Sequence, residues 1–129
     1  MGKFLQKQSD VKFNIVKTGV IKLNTPLVYI TKDGAMIKTP VGYITDGYSK
    51  PKWTQSLVGG RFEDDVRPAI IHDYLCQFHG YTSTITGKFV PVSFDKTNDI
   101  FYEAMIVAGI KKHKALLMRF AVNFNKDRW

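Results

Sequence analysis

The chain of 129 residues has a single cysteine, Cys76. One cysteine cannot form an internal disulfide, so the sequence does not belong to the class of small secreted domains that disulfides hold together. A chain of this length can bury a sizeable core without such cross-links. We therefore expect one domain, residues 1–129. Its single thiol fits a reducing compartment or indifference to redox, and synthesis in the cytoplasm is expected.

Long apolar runs are also missing. No segment is long and apolar enough to span a bilayer, and residues 1–8 carry charge where a secretory signal would have a continuous apolar stretch. The sequence therefore predicts neither a transmembrane segment nor export.

Acidic residues are scarce: 11 Asp and Glu stand against 19 Lys and Arg, which gives a formal net charge of +8. Such a charge attracts anionic partners, including membranes, nucleic acids and wall polymers, without choosing among them. The densest basic run, residues 111–114, begins a predicted helix. We find no specific nucleic-acid motif, and interpret the charge as a solvated basic surface.

The first third of the chain has the alternating pattern of half-buried strands. Residues 1–10 are polar and are expected to form a loose lead-in. The Asp33-Gly34 pair is a strong hairpin signal, so the strands on either side of it should pair antiparallel. The predicted strands or extended segments are residues 11–16, 20–23, 27–31, 35–39 and 40–45.

A helix is predicted over residues 66–79, with Pro68 in its first turn and Gly80 where it stops. Asp64 and Asp65 precede it and suit the positive end of its dipole. Its apolar stripe consists of Ile71, Leu75 and Phe78.

His72 and Asp73 stand side by side on this helix and are the main candidates for chemistry. Helical spacing places Cys76 and His79 on the same face as His72, whereas Asp73 projects about 100° away. A buried, hydrogen-bonded structural histidine with a solvated neighbour would give the same pattern.

Residues 45–51 read Thr-Asp-Gly-Tyr-Ser-Lys-Pro. An acid, a glycine, a hydroxyl and a proline in seven residues are typical of a fixed turn that can aim side chains at a site. Asp46, Gly47 and Ser49 are therefore further site candidates, although simple turns share this composition.

After residue 80, the polar stretch 81–88 predicts an exposed loop or a small hairpin. Two more helices are predicted, at 94–108 with Ser93 as its N-cap and at 112–125. The fold class is therefore α+β: an N-terminal antiparallel β region of hairpins at 11–45, a loop at 45–64 that carries the site, and three helices in 65–125. The third helix is expected to bury Leu116, Leu117, Phe120, Val122 and Phe124.

Three motifs occur in order: Thr-Asp-Gly-Tyr-Ser-Lys-Pro at 45–51, His-Asp-Tyr-Leu at 72–75, and Asp-Ile-Phe-Tyr-Glu-Ala-Met at 99–105, followed by a late Trp129. Over roughly residues 40–129 this pattern resembles domain-of-unknown-function family 1353, which is common in bacteriophages and prophages. Tyr48 departs from the alanine of the family pattern. The resemblance implies a phage or prophage origin, with synthesis in the host cytoplasm, and it implies no activity.

The same motifs are more distantly similar to the active-site helices of phospholipase A2 enzymes. That similarity implies that His72 is a general base, that Asp99 orients it, and that Asp73 binds Ca²⁺ with the loop at Asp46 and Gly47. The missing disulfides and the β-rich N-terminal third speak against a literal phospholipase.

Two further interpretations stay open. In one, a divalent metal such as zinc is held by His72 with some of Asp46, Asp73, Asp99, Cys76 and His79, and the substrate is wall peptide or glycan. In the other, the His/Asp cluster is a buried structural network in a virion or tail component, an assembly protein or a small phage effector. Partners would then be other virion proteins or the host envelope.

Overall fold

The structure is a computed structural model that describes residues 2–17, 20–45 and 66–123. It contains antiparallel strands in its N-terminal part and three helices after them, which confirms the predicted α+β class. The strands are β1 Lys3–Phe4, β2 Phe13–Lys17, β3 Val20–Leu23, β4 Leu27–Ile30, β5 Met36–Thr39, β6 Ile44–Thr45, β7 Gly80–Thr82 and β8 Phe89–Pro91; the helices are α1 Arg67–Phe78, α2 Phe94–Val107 and α3 Lys112–Val122, with a short 3-10 helix at Gln8–Asp10.

The hairpin predicted around Asp33-Gly34 is confirmed. Strands β4 and β5 pair antiparallel, with Leu27 opposite Thr39 and Ile30 opposite Met36. Gly34 has a φ of +88°, a left-handed conformation that glycine adopts without a steric penalty. Together with β1 these strands form a three-stranded sheet in the order β1-β4-β5.

The N-terminal residues are ordered against this sheet, which corrects the expected loose lead-in. Strand β1 pairs with β4, and the Phe4 ring lies 4.7 Å from the ring of Tyr29. The Gln6 side chain accepts a hydrogen bond from the backbone N–H of Val28 at 2.7 Å. The backbone carbonyl of Gln6 accepts another hydrogen bond, from Nη1 of Arg67 at 2.8 Å. Polar side chains here satisfy backbone groups instead of facing only water.

A second antiparallel sheet has the order β2-β3-β6. Its last strand, β6, confirms an extended segment within residues 40–45. The strand ends at Thr45, whose side chain is buried. The sheet therefore brings the chain to the site at the point where the predicted loop begins.

The polar stretch after α1 lies in a hairpin of β7 and β8. A small hairpin was one of the two predicted forms, the other being an exposed loop. Gly80 lies against β8 so closely that an added Cβ would be 2.2 Å from the carbonyl oxygen of Val90. A larger residue would push the two strands apart.

Helix α1 joins two hydrophobic clusters. Its residues Ile70, Ile71 and Leu75 pack with both three-stranded sheets, in a cluster that includes Leu23, Leu27, Tyr29 and Ile37. Ala69 belongs to a second cluster, between the three helices, with Phe101, Met105, Ala115, Met118 and Val122. A side chain on α1 that faces α2 is therefore held in a fixed position by packing.

The helix ends follow the sequence signals in part. Ser93 caps α2 by accepting a hydrogen bond from the backbone N–H of Lys96 at 3.1 Å, as predicted. At the start of α1 the N-cap is Val66 and supplies no side-chain hydrogen bond. Asp64 and Asp65 lie outside the described residues. The left-handed residue that ends α1 is His79, with a φ of +59°, one position before the predicted glycine.

Helix α3 packs with a different face from the one predicted. Its buried residues are Ala115, Met118, Ala121 and Val122, so Val122 is the only buried one among the four expected residues that the structure describes. Leu116, Leu117 and Phe120 are 49%, 37% and 61% exposed, and Phe124 lies outside the described residues. On this face, Ala115, Met118 and Val122 pack in one cluster with Phe101 and Met105 of α2.

Candidate functional site

His72 lies on the face of α1 that meets α2. Its side chain is only 7% exposed, and its ring is stacked on the ring of Phe101 with the centroids 4.3 Å apart and the planes 28° from parallel. The stack fixes the plane of the imidazole. Chemistry at His72 is therefore limited to atoms that approach the ring in that plane.

The hydrogen-bond partner of the imidazole is Asn98 on α2. Asn98 is fully buried, and its Oδ1 lies 2.8 Å from Nε2 of His72. The predicted contact between His72 and Asp99 is not found: the Asp99 side chain is 63% exposed and accepts from Arg119 at 3.0 Å. Successive helical residues point about 100° apart, so only one of this pair can face α1. This corrects the sequence prediction by one residue.

Asn98 is itself held by α3. Its Nδ2 donates to Oδ1 of Asn123 at 3.2 Å, and the same oxygen accepts from Nη1 of Arg119 at 2.5 Å. A connected set of polar groups therefore runs from the solvent-exposed Asp99 to the buried His72.

Asp73 connects α1 to β6. Its Oδ2 accepts hydrogen bonds from Tyr43 at 2.9 Å and from Thr45 at 2.5 Å. The Tyr43 hydroxyl also lies 2.9 Å from Oε1 of Gln77. A phenol has one proton, so it can donate to only one of these two acceptors. Both hydrogen bonds described for Asp73 use the same oxygen, and Oδ1 carries neither.

Tyr43, which donates to this carboxylate, belongs to an aromatic cluster with Tyr74 and Phe78. The Tyr74 ring lies 5.5 Å from that of Tyr43 and 4.9 Å from that of Phe78. Burial raises the pKa of Tyr74 above its ordinary value. The raised pKa keeps the Tyr74 phenol neutral at neutral and moderately alkaline pH.

Cys76 is near His72, as helical spacing predicts. Its Sγ lies 3.5 Å from Nε2 and 3.9 Å from Nδ1 of the imidazole. His79 shares the predicted face but is exposed and lies at the C-cap of the helix. Cys76 and Asn98 both lie closest to Nε2, so the three residues do not form a Cys-His-Asn triad, which uses both ring nitrogens.

The remaining predicted site residues, Asp46, Gly47 and Ser49, lie outside the described residues. Within residues 2–17, 20–45 and 66–123, no three His, Cys, Asp or Glu side chains form a group that could hold a metal ion. The described residues alone therefore do not supply a metal site.

Several polar contributors to this site were not predicted from the sequence, among them Tyr43, Thr45, Asn98, Arg119 and Asn123. Neutral amides and a tyrosine in a short extended segment carry no chemical motif. The available signal was the position of Asn98 on the apolar face of its helix, beside Phe101, where a buried amide needs a partner.

Comparison with known sequences places this chain in a family. A family model described as a protein of unknown function (DUF1353) matches residues 21–122. The chain belongs to the DUF1353 family. The match takes in most of β3 together with β4, β5 and β6 as well as the three helices, whereas β1 and β2 precede it.

Two curated relatives come from Sinorhizobium fredii (strain NBRC 101917 / NGR234). The uncharacterized protein y4iH is 33% identical over 102 residues, which cover 78% of this DUF1353 chain and 38% of the relative. The uncharacterized protein y4jT is 27% identical over 111 residues, which cover 85% of the chain and 30% of the relative. The chain thus spans about a third of these relatives, and no solved structure matches it.

Proposed function

We propose that this DUF1353 protein is a hydrolase-like protein of bacteriophage or prophage origin, in which His72 accepts a proton from the attacking water. The observation that supports this most is the 2.8 Å contact between Nε2 of His72 and Oδ1 of the buried Asn98. A general base needs one ring nitrogen held by a hydrogen bond, so that the other can take the proton. Asn98 would supply that hold, and the stack on Phe101 would fix the ring plane.

The reaction class is hydrolysis of an ester or amide. The oxygen of the attacking water would bond to the carbonyl carbon while a proton of that water moves to His72. The imidazolium would then give the proton to the leaving group as the ester or amide bond breaks. The host envelope, phospholipid or cell wall, is the proposed source of substrate. The net charge of +8 supports this choice, because both surfaces carry anionic groups.

Asp73 is proposed as a ligand for a divalent cation, calcium or zinc. Its support is that the carboxylate is anchored through Oδ2 by Tyr43 and Thr45, and Oδ1 takes part in neither bond. A full ligand set would need residues beyond the described ones, and Asp46 with the loop at Gly47 and Ser49 is the proposed source.

A second candidate function is supported by the burial of His72. At 7% exposure, the imidazole would also serve as a structural link between α1 and α2. The protein would then be a virion or tail component, an assembly protein or a small phage effector, with the polar network as part of its core.

A substrate screen tests the first candidate. The purified protein is incubated with anionic phospholipid vesicles or with purified cell wall, each with Ca²⁺, with Zn²⁺ and with EDTA. Release of fatty acid or of soluble wall fragments, lost in EDTA and in Asp73→Asn, is the expected result. The matched control is Asp33→Asn, which alters an exposed carboxylate paired with Lys96. If neither substrate is cleaved under any condition, the hydrolase proposal fails and the structural one stands.

A further inference from the structure

The hydrogen bonds between Arg119 and His72 have a defined direction. A guanidinium group can only donate, and Nη1 of Arg119 lies 2.5 Å from Oδ1 of Asn123. The side-chain amide of Asn123 must therefore present its oxygen, not its nitrogen, to Arg119. This removes the usual ambiguity about which way an asparagine amide faces.

The next step orients Asn98. The oxygen of Asn123 has a second lone pair, and it accepts from Nδ2 of Asn98 at 3.2 Å. With its nitrogen turned to Asn123, the Asn98 amide presents its oxygen to His72. The 2.8 Å contact at Nε2 is then between an oxygen lone pair and a ring nitrogen, so it is attractive only if that nitrogen carries a proton.

We infer that the relay Asp99–Arg119–Asn123–Asn98 holds neutral His72 as the Nε2–H tautomer, which makes Nδ1 the basic nitrogen. Asn98 is thereby a positioning residue, and Asp99 acts on the histidine at a distance. Two nitrogens of Arg119 lie 3.2 and 3.0 Å from Oδ1 of Asp99, which fixes the guanidinium at the start of the relay.

Cys76 does not reverse this assignment. Its Sγ is nearer to Nε2, at 3.5 Å, than to Nδ1, at 3.9 Å. A thiol that donated to an unprotonated Nε2 would leave two lone pairs facing each other at the Asn98 contact. Since a thiol is a weak donor, the shorter contact to the amide oxygen decides the tautomer.

The inference deepens the proposed function and rests on it where it names Nδ1 as the atom that would take the proton from water. The tautomer itself is independent of any activity.

The test is a long-range ¹H–¹⁵N correlation spectrum of the full ¹⁵N-labelled chain above the pH at which its histidines are charged. The chain has three histidines, and His79→Gln and His113→Gln assign the other two. The inference predicts a protonated Nε2 and an unprotonated Nδ1 for His72. The reverse pattern, or equal populations, would overturn it, whatever the substrate screen shows.

Variants then test the relay as the cause. Asn98→Asp keeps an acceptor at Nε2 and should preserve the tautomer, whereas Asn98→Ala should let the Nδ1–H form appear. Arg119→Met should raise the population of the Nδ1–H tautomer too, but by less than Asn98→Ala does. Lys96→Met, which breaks an exposed ion pair elsewhere on α2, is its control and should leave that population unchanged. Asp99→Asn is the milder change if Arg119→Met does not fold. Unchanged tautomer populations in all of the relay variants would show that the relay is not the cause.

Discussion

Nε2 of His72 meets Oδ1 of Asn98 at 2.8 Å, with both side chains buried between two helices. A polar pair in this setting stabilises the fold only while both partners are present, because an unpaired buried group loses its contact with water and gains nothing in return. This asymmetry gives the first prediction.

Replacing Asn98 by alanine should lower the free energy of unfolding by about 1–3 kcal/mol, because the imidazole N–H loses its acceptor. Asn14→Ala is the matched control, since Asn14 is exposed, and should change stability by less than about 0.5 kcal/mol. Urea denaturation of both variants gives the comparison. Equal effects would mean that the buried contact does not contribute.

The hydrogen bond from the Thr45 hydroxyl to Asp73 should contribute about 1.5–3 kcal/mol to the free energy of unfolding, since its acceptor is a carboxylate and Thr45 is buried. Thr45→Val keeps the shape of the side chain and removes the donor. Thr84→Val is its control, because the Thr84 hydroxyl is exposed and contacts only the sulfur of Met36 at 3.5 Å. A double-mutant cycle of Thr45→Val with Asp73→Ala, which removes the acceptor, isolates the pair, and a coupling energy near zero would contradict the assignment.

Alkaline pH should destabilise the protein through Tyr29. Burial, followed by the hydrogen bond to Glu103 and the charge of that carboxylate, raises the pKa of Tyr29 far above its ordinary value. The unfolded chain ionises this phenol near pH 10 and the folded chain does not, so stability is lost as the pH rises above about 10. Denaturation midpoints between pH 8 and 11 measure the loss.

Tyr29→Phe is the control for this effect. The variant loses the hydrogen bond to Glu103 and should be less stable at pH 8. Its stability should nevertheless fall less steeply above pH 10, because the group that ionises only in the unfolded chain is gone. A decline as steep as in the unchanged protein would assign the effect to other groups.

Side chains on the two faces of α3 should contribute differently to the free energy of unfolding. Met118 is buried at the contact with α2, and Met118→Ala should cost about 2–5 kcal/mol. Leu116→Ala should cost about 1 kcal/mol, because half of that side chain is already exposed. Denaturation of the two variants distinguishes the observed face from the one that the sequence pattern favoured. A larger loss in Leu116→Ala would contradict the packing described.

Much of the fold could be predicted from local signals. Some signals act over only a few residues: the Asp33-Gly34 turn, the cap at Ser93, and the spacing of Ile71 and Leu75. The hairpin and the two helices that these signals predict are found at the predicted positions. The buried face of α3 could not be predicted in this way, because Leu116 and Met118 are both apolar. Which of the two is buried depends on how α3 packs against α2.

The site was predicted only in part for the same reason. His72 and Asp73 are recognisable because charged and titratable side chains stand together on one helix. Whether Asn98 or Asp99 faces that helix depends on the rotation of α2 about its axis, which tertiary packing sets. A carboxylate is the more familiar partner of a histidine, so the sequence favoured the wrong neighbour.

The measurement that tests the central proposal most directly pairs folding with hydrolysis in His72→Gln. The unfolding free energy and the cleavage of envelope substrate are measured on the same preparation, with His113→Gln, an exposed histidine, as the control. The proposal predicts a folded His72→Gln protein with at least 100-fold less hydrolysis, roughly the contribution of a general base, and a fully active His113→Gln protein. A folded His72→Gln variant that cleaves the substrate as fast as the unchanged protein would contradict it.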